Sequence, residues 1–205
     1  MVTRHEPARQ AHAWSAADFV GGHPALDFLN TVADTGKTRD EDKLVDWAAV
    51  HAWVGKSGLL SRADLTGFMR HTRHDGADAL AALHDFREDA YVALAHLTSG
   101  GGSVGTGARA VGRLAEAIRD AIGRSSLDAV DGRFAWRPDA RGVSRWVDAA
   151  ALGFEHLLRG DDFARVRQCG RCTWFFVDRG RGVGRRWCDM RTCGNRAKVA
   201  AFRER

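Results

Sequence analysis

Cys169, Cys172, Cys188 and Cys193 are the only cysteines in this chain of 205 residues, and all four fall within its last 37. They form two close pairs, Cys169-Gly-Arg-Cys172 and Cys188 to Cys193, with fifteen residues between the pairs. That spacing lets four thiolates close a tetrahedron around one metal ion. The surrounding segment is too short to build a core of its own, so a metal is what would organise it, assisted by Trp174, Phe175, Phe176, Val177 and Trp187. Zinc is the first expectation. An iron-sulfur cluster, which also takes four cysteines, and a disulfide are the alternatives. A catalytic zinc keeps one position open for water, whereas four thiolates leave none, so the expected cofactor is one structural zinc ion. All nine histidines precede Cys169, so the site must use cysteines alone unless the rest of the chain lends a ligand.

Charge follows the same division. From residue 165 onward there are twelve Arg or Lys against three acidic residues, a net +9, whereas residues 1 to 164 hold 19 basic and 23 acidic residues, a net −4. Four thiolates on a divalent ion would lower the tail to about +7, still a strongly polarised molecule. Nucleic acid is therefore the first partner to expect. The basic residues lie in two places. One is the glycine-rich loop from Asp178 to Arg186, with Arg179, Arg181, Arg185 and Arg186, where bare backbone and guanidinium forks can approach a phosphate chain. The other is the segment from Asn195 to Arg205, read as a helix with Val199 and Phe202 as its buried edge. Arg196 and Arg203 would flank that edge on one side, Lys198 and Arg205 on the other. Asn195 and one or two of the arginines are the candidates for reading bases. In a strand over 173–178, Trp174 and Phe176 would share one face, Phe175 and Val177 the other.

The rest of the chain reads as mainly helical. Residues 1–17 lack periodicity and are expected to form a flexible arm, with order beginning near Phe19. The Gly-Gly break and Pro24 imply a turn, followed by a short helix or strand up to Val32. Leu44, Trp47, Val50 and Val54 mark one helix, ended by Gly55 and Gly58, and Ser61 with Asp64 opens a second by an acidic capping box. The longest apolar face runs from Leu80 to Leu97. Val111, Leu114, Ile118 and Ile122 follow a glycine-rich loop, and a last core helix spans Trp146 to Leu158, stopped by Gly160. Phe134 to Trp136 and the turn from Pro138 to Gly142 suggest a hairpin. No apolar run reaches 18 residues and the opening segment is polar and charged, so neither a membrane span nor a secretory signal is expected, and the cytoplasm is the expected location.

Enzyme signatures are weak. Gly105-Thr-Gly107-Ala-Arg-Ala110 imitates a dinucleotide fingerprint, but no strand leads into it. His71, His74, Asp75 and Asp78 could form a metal face at helical spacing, yet such groups more often sit in water. No hydrolase elbow or P-loop occurs, so no enzyme is expected. Asp27 and Asn30 would be the best candidates for chemistry, with local hydrogen bonding as their simpler role.

Cys193-Gly-Asn-Arg196, preceded by Arg185-Arg-Trp-Cys188, the Cys169/Cys172 pair and Phe176-Val-Asp-Arg179, resembles a bacterial CGNR zinc finger. Gly21-Gly22 and Leu26-Asp-Phe-Leu-Asn-Thr31 are similar to the ABATE domain that accompanies this finger, a family described as stress-induced transcription regulators. The resemblance implies zinc held by Cys169, Cys172, Cys188 and Cys193, and DNA contacts that include Arg185, Arg186 and Arg196. The expected organisation is an arm over 1–17, an ABATE-like helical domain over 18–160, and a treble-clef-like zinc module of hairpin and helix over 161–205. The expected function is DNA-binding transcription regulation, with the helical domain regulatory or dimerising and a ligand of that domain or a homodimer as candidate partners. An RNA-binding or ribosome-associated protein is the second reading and an enzyme with an accessory finger the third.

Overall fold

The computed structural model describes residues 12–33, 36–100, 104–130, 132–180 and 184–203. Seven α-helices and three small antiparallel strand pairs account for the regular structure among them. The first helix, α1 (Pro24–Leu29), settles the ambiguity before Val32 in favour of a helix. Pro24 sits at its first position, where no backbone donor is needed, and the His23 ring caps it by accepting the Ala25 N–H. Ala25 through Leu29 are all buried, which explains the missing helical period: an element covered on every side has no polar face to alternate with.

Strands β1 (Val32–Ala33) and β2 (Glu41–Asp42) pair next, followed by α2 (Trp47–Ser57) and α3 (Arg62–Met69). Asp46 caps α2 by accepting the Ala49 N–H at 2.8 Å, and Gly58 ends it at a φ of 70° that suits a glycine. Ser61 and Asp64 bond each other at the start of α3 as their spacing implies. The long α4 (Ala77–Thr98) and α5 (Thr106–Gly123) pack together, and α6 (Arg145–Arg159) lies against α5, α4 and α1. The core between them holds Phe28, Trp53, Phe86 and Phe154, with Phe28 and Phe86 stacked at 6.3 Å and Phe154 edge-on to Phe86 at 5.9 Å.

Two sequence expectations are corrected. The hairpin is formed by β3 (Ser125–Val130) and β4 (Arg133–Pro138), so the chain reverses between Val130 and Arg133 and not at Pro138 to Gly142. Ser125 to Val130 went unrecognised because Ser and Asp interrupt its apolar alternation. The N-terminal segment is also ordered earlier than expected. Trp14 is buried, Lys56 donates to its carbonyl at 2.7 Å, and a 3-10 turn over Ala16–Asp18 follows. A lone indole suffices to dock a segment that shows no periodicity. Residues 1–11 of the expected arm lie outside the described residues.

The body also holds a buried charge cluster. Asp75 accepts from the Arg145 guanidinium, from Trp146 Nε1 at 2.8 Å and from His51 Nε2 at 2.9 Å, and Arg145 is fully buried. Asp75 thus neutralises a buried arginine and does not join His71, His74 and Asp78 in a metal face. The only group of metal-ligating side chains close enough to share an ion, among the described residues, is the cysteine cluster.

Candidate metal centre and nucleic-acid interface

The C-terminal module starts with β5 (Val166–Gln168) and β6 (Phe175–Val177), which pair antiparallel, Val166 opposite Val177. Cys169 and Cys172 occupy the turn between them. Its neck is closed by the Cys169 N–H donating to Trp174 O at 2.8 Å and the Gly170 N–H to Arg186 O at 3.0 Å. Cys188 follows the glycine-rich loop. Cys193 lies in a π-helical turn over Met190–Gly194 that runs directly into α7 (Asn195–Arg203). Asp189 caps this turn, accepting the N–H groups of Arg191 at 2.6 Å and Thr192 at 3.1 Å. Gly194 lets Met190 and Trp187 close over the turn, since a Cβ would lie 2.7 Å from Met190 Sδ and 3.2 Å from Trp187 Cδ1 and displace the methionine side chain.

All four sulfurs lie within 4.8 Å of one another and are buried among Phe176, Trp174, Trp187 and Val20. Cys172 and Cys188 Sγ are 3.7 Å apart. Thiolates placed about 2.3 Å from a tetrahedral zinc would be about 3.8 Å apart, close to the separation of the Cys172–Cys188 pair, so the cluster is compatible with one such ion. The Cys188 N–H approaches Cys169 Sγ at 3.4 Å, the kind of backbone donor that steadies a ligating sulfur. Hydrogen bonds from the Cys172 and Cys188 thiols hold Cys169 well below the usual thiol range. The same bonds to Cys169, with burial, push Cys172 up to about 12 and Cys188 up as well. Without a cation only one of the three readily ionises. A divalent metal supplies the missing positive charge, and its bound form closes the site as a structural centre.

The module is fastened to the body through the very residues that carried the ABATE resemblance. The Asn30 side chain brackets Phe175, its Nδ2 donating to Phe175 O and its Oδ1 accepting the Phe175 N–H, both at 2.9 Å. Val177 N–H donates to Gly21 O at 2.8 Å, Arg179 to Gly22 O at 3.1 Å, and Trp174 Nε1 to Val32 O at 2.7 Å. Gly21 is pinned in turn by donating its N–H to Asp27 Oδ1 at 2.8 Å, and a Cβ there would meet that oxygen and Leu26 Cβ within 2.9 Å. Phe175 and Val177 enter the main core while Phe176 covers the cysteines, the two faces that strand alternation assigns. Sequence reasoning missed this seat. Its signal was present in the amide of Asn30, a side chain able to mimic a strand edge with both donor and acceptor.

The basic residues divide into two sets. Arg179 is tied down by Asp162 and Gly22 O. Arg185 donates to Cys188 O at 2.8 Å and lies over the Phe176 ring at 4.6 Å, so it braces the metal centre, although the residue is exposed. Arg186 is exposed and rests on Trp187 at 4.8 Å. Asn195, Arg196, Lys198 and Arg203 are exposed along α7, and none of those three cations makes an ion pair among the described residues. Arg181 and Arg205 lie outside the described residues. The expected buried edge of α7 is not buried: Val199 is 42% and Phe202 80% exposed. No residue of α7 is buried.

A zinc-finger module built on a helical body is therefore what the fold and site define. The CGNR zinc finger family matches residues 165–205, and the ABATE family, described as "Putative stress-induced transcription regulator", matches residues 22–168. The chain belongs to the ABATE family and carries the CGNR finger at its C-terminal end. Neither is a family of enzymes. No curated protein matches the sequence closely enough to stand as a relative. The two family matches overlap at 165–168, most of which is strand β5, so the finger begins inside a hairpin that also serves the body. No described helix is long and apolar enough to cross a membrane.

Proposed function

We propose that the chain is a cytoplasmic DNA-binding transcription regulator in which Cys169, Cys172, Cys188 and Cys193 hold the structural zinc and the module presents a basic surface to the duplex. The observation that carries this reading is α7: Arg196, Lys198 and Arg203 stand on an exposed helix with no acidic residue over Asn195–Arg203. Unpaired cations on an exposed helix are what phosphate neutralisation requires. Val199 and Phe202 lie between them, an apolar edge that a groove wall would cover. Arg186 extends the surface, and Asn195 is the amide placed to read a base. The bound cations Arg179 and Arg185 hold the presenting surface in shape and contribute less to phosphate contact. The body over 18–160 is regulatory or dimerising, since one small finger over 161–205 makes only a short contact and modules of that size gain specificity by pairing.

The test is binding of the zinc-loaded protein to duplex DNA across a salt series. Arg186→Ala and Arg196→Ala are each expected to flatten the log–log slope by about 0.9 if the residue touches phosphate. Unchanged slopes would place the contact surface elsewhere. Equal or tighter binding to single-stranded RNA would replace DNA by RNA as the partner.

A further inference from the structure

A cleft runs between the β3–β4 hairpin and α6. It comprises two adjoining cavities of about 390 and 340 Å³ that share Ala135, Trp136, Leu152 and His156. That is the volume of a small-molecule site. One face of the hairpin supplies an apolar wall: in the strand register Leu127 lies opposite Trp136 and Ala129 opposite Phe134, so their side chains point the same way. Leu127 is 52% and Phe134 78% exposed, unusual for side chains of a hairpin held against a core. Leu59 and Leu152 form the opposite wall.

The polar groups define what this space would accept. Charges at the rim are already matched, Arg137 with Asp64 and Arg159 with Glu155. The exception is an imidazole. His23 Nδ1 accepts the Ala25 N–H at 3.2 Å, so in neutral His23 the proton sits on Nε2 and is donated to His156 Nδ1 at 3.0 Å. His156, an exposed residue, must then carry its own proton on Nε2, a donor that faces solvent and has no protein partner among the described residues. Burial, reinforced by the neighbouring His156, pushes His23 down to about 4, which keeps the His23 ring neutral near pH 7.

We infer that the cleft is a ligand site for a small, uncharged aromatic carbonyl compound, its ring against Trp136 and Leu152 and its oxygen accepting from His156 Nε2. An anion finds no unpaired cation there, and a hydrocarbon would displace water from the imidazole donor without replacing its hydrogen bond. The site also adjoins the seat of the zinc module: His23 directly follows Gly21 and Gly22, whose carbonyls accept Val177 N–H and Arg179. Occupancy that draws on His156 therefore bears on the turn that holds β6. This deepens the regulatory role proposed for the body, but the site and its link are read without DNA, so either reading can fail alone.

The experiment is a nuclear magnetic resonance titration of the zinc-loaded protein with 1-indanone, indane and indane-1-carboxylate, following the Trp136 indole N–H and the Val177 amide. Expected are saturable Trp136 shifts, 1-indanone binding three- to ten-fold more tightly than indane, and the carboxylate more weakly than either. His156→Phe should abolish the preference for the ketone while indane still binds, which shows that the variant is folded; Trp136→Ala should weaken all three. Absence of saturation up to the solubility limit, preference for the carboxylate, or an unchanged ketone preference in His156→Phe would overturn the site. A Val177 amide that stays silent while Trp136 saturates would overturn the link to the finger.

Discussion

The body and the zinc module solve the same problem by different means. The body buries a continuous apolar core spanning α1 to α6 and tolerates even a fully buried arginine because Asp75 meets it. The module has Phe176, two half-buried tryptophans and four sulfurs, too little apolar area to offset the entropy of ordering its chain. It obtains order from the metal within and from the body's seat beneath. What the contrast teaches is that the module is small but not autonomous: Phe175 and Val177 of its hairpin are residues of the body's core.

The sharpest way to break the comparison is to remove the metal. Structural zinc contributes on the order of 10 kcal/mol or more to a small module near pH 7. Cys188→Ser or chelation should therefore unfold the segment around 178–203, read as new protease cleavage there, while circular dichroism retains the helices of the body. A module that stays protease-resistant without zinc would place its stability in the seat alone. The body has its own critical point in Asp75. Asp75→Asn leaves Arg145 buried without a counter-charge and should cost about 3–5 kcal/mol in denaturant unfolding, with zinc content per folded chain unchanged. A loss below 1 kcal/mol would show that water reaches the arginine.

Asn30 tests the join. Asn30→Ala strips both partners from the Phe175 backbone and should cost about 2–4 kcal/mol. It should also speed zinc release to a chelator, which a body-only defect such as Asp75→Asn would not do. The smallest effect concerns pH. Burial raises Asp27 to about 7, so the folded state holds that proton more tightly than the unfolded chain, and this group adds stability as pH falls from 7 toward 4. His23, lowered to about 4, acts in the opposite sense and removes stability as pH falls below 6.5. The two oppose each other in the wild type. Asp27→Asn keeps an oxygen for the Gly21 N–H but no longer titrates, so between pH 6.5 and 5 it should lose up to about 2 kcal/mol relative to the wild type. Parallel melting curves for the two proteins across that range would show Asp27 to be ionised already in the fold.

Most helices were legible because their information is local. Ser61 with Asp64 and the stop at Gly58 act over a few residues, and the apolar spacing of α4 and α6 repeats along the chain. The cysteine spacing was legible for a related reason: four soft ligands of one chemistry and no histidine nearby leave a metal few arrangements. The partner of β4 and the buried Trp14 were less legible, because broken alternation or a single indole carries no period.

What the sequence determined by itself is the kind of molecule: a helical body, a four-thiolate centre, and an excess of positive charge around that centre. Tertiary structure alone decided how these are used. It spans 145 residues to set Asn30 beside Phe175, turns Arg179 and Arg185 from free cations into braces, and leaves Val199 and Phe202 facing outward. The physical reason is that composition and spacing report what each residue can do with its neighbours in the chain. Whether a cation is free or an apolar edge covered depends on which distant surface folding brings to it.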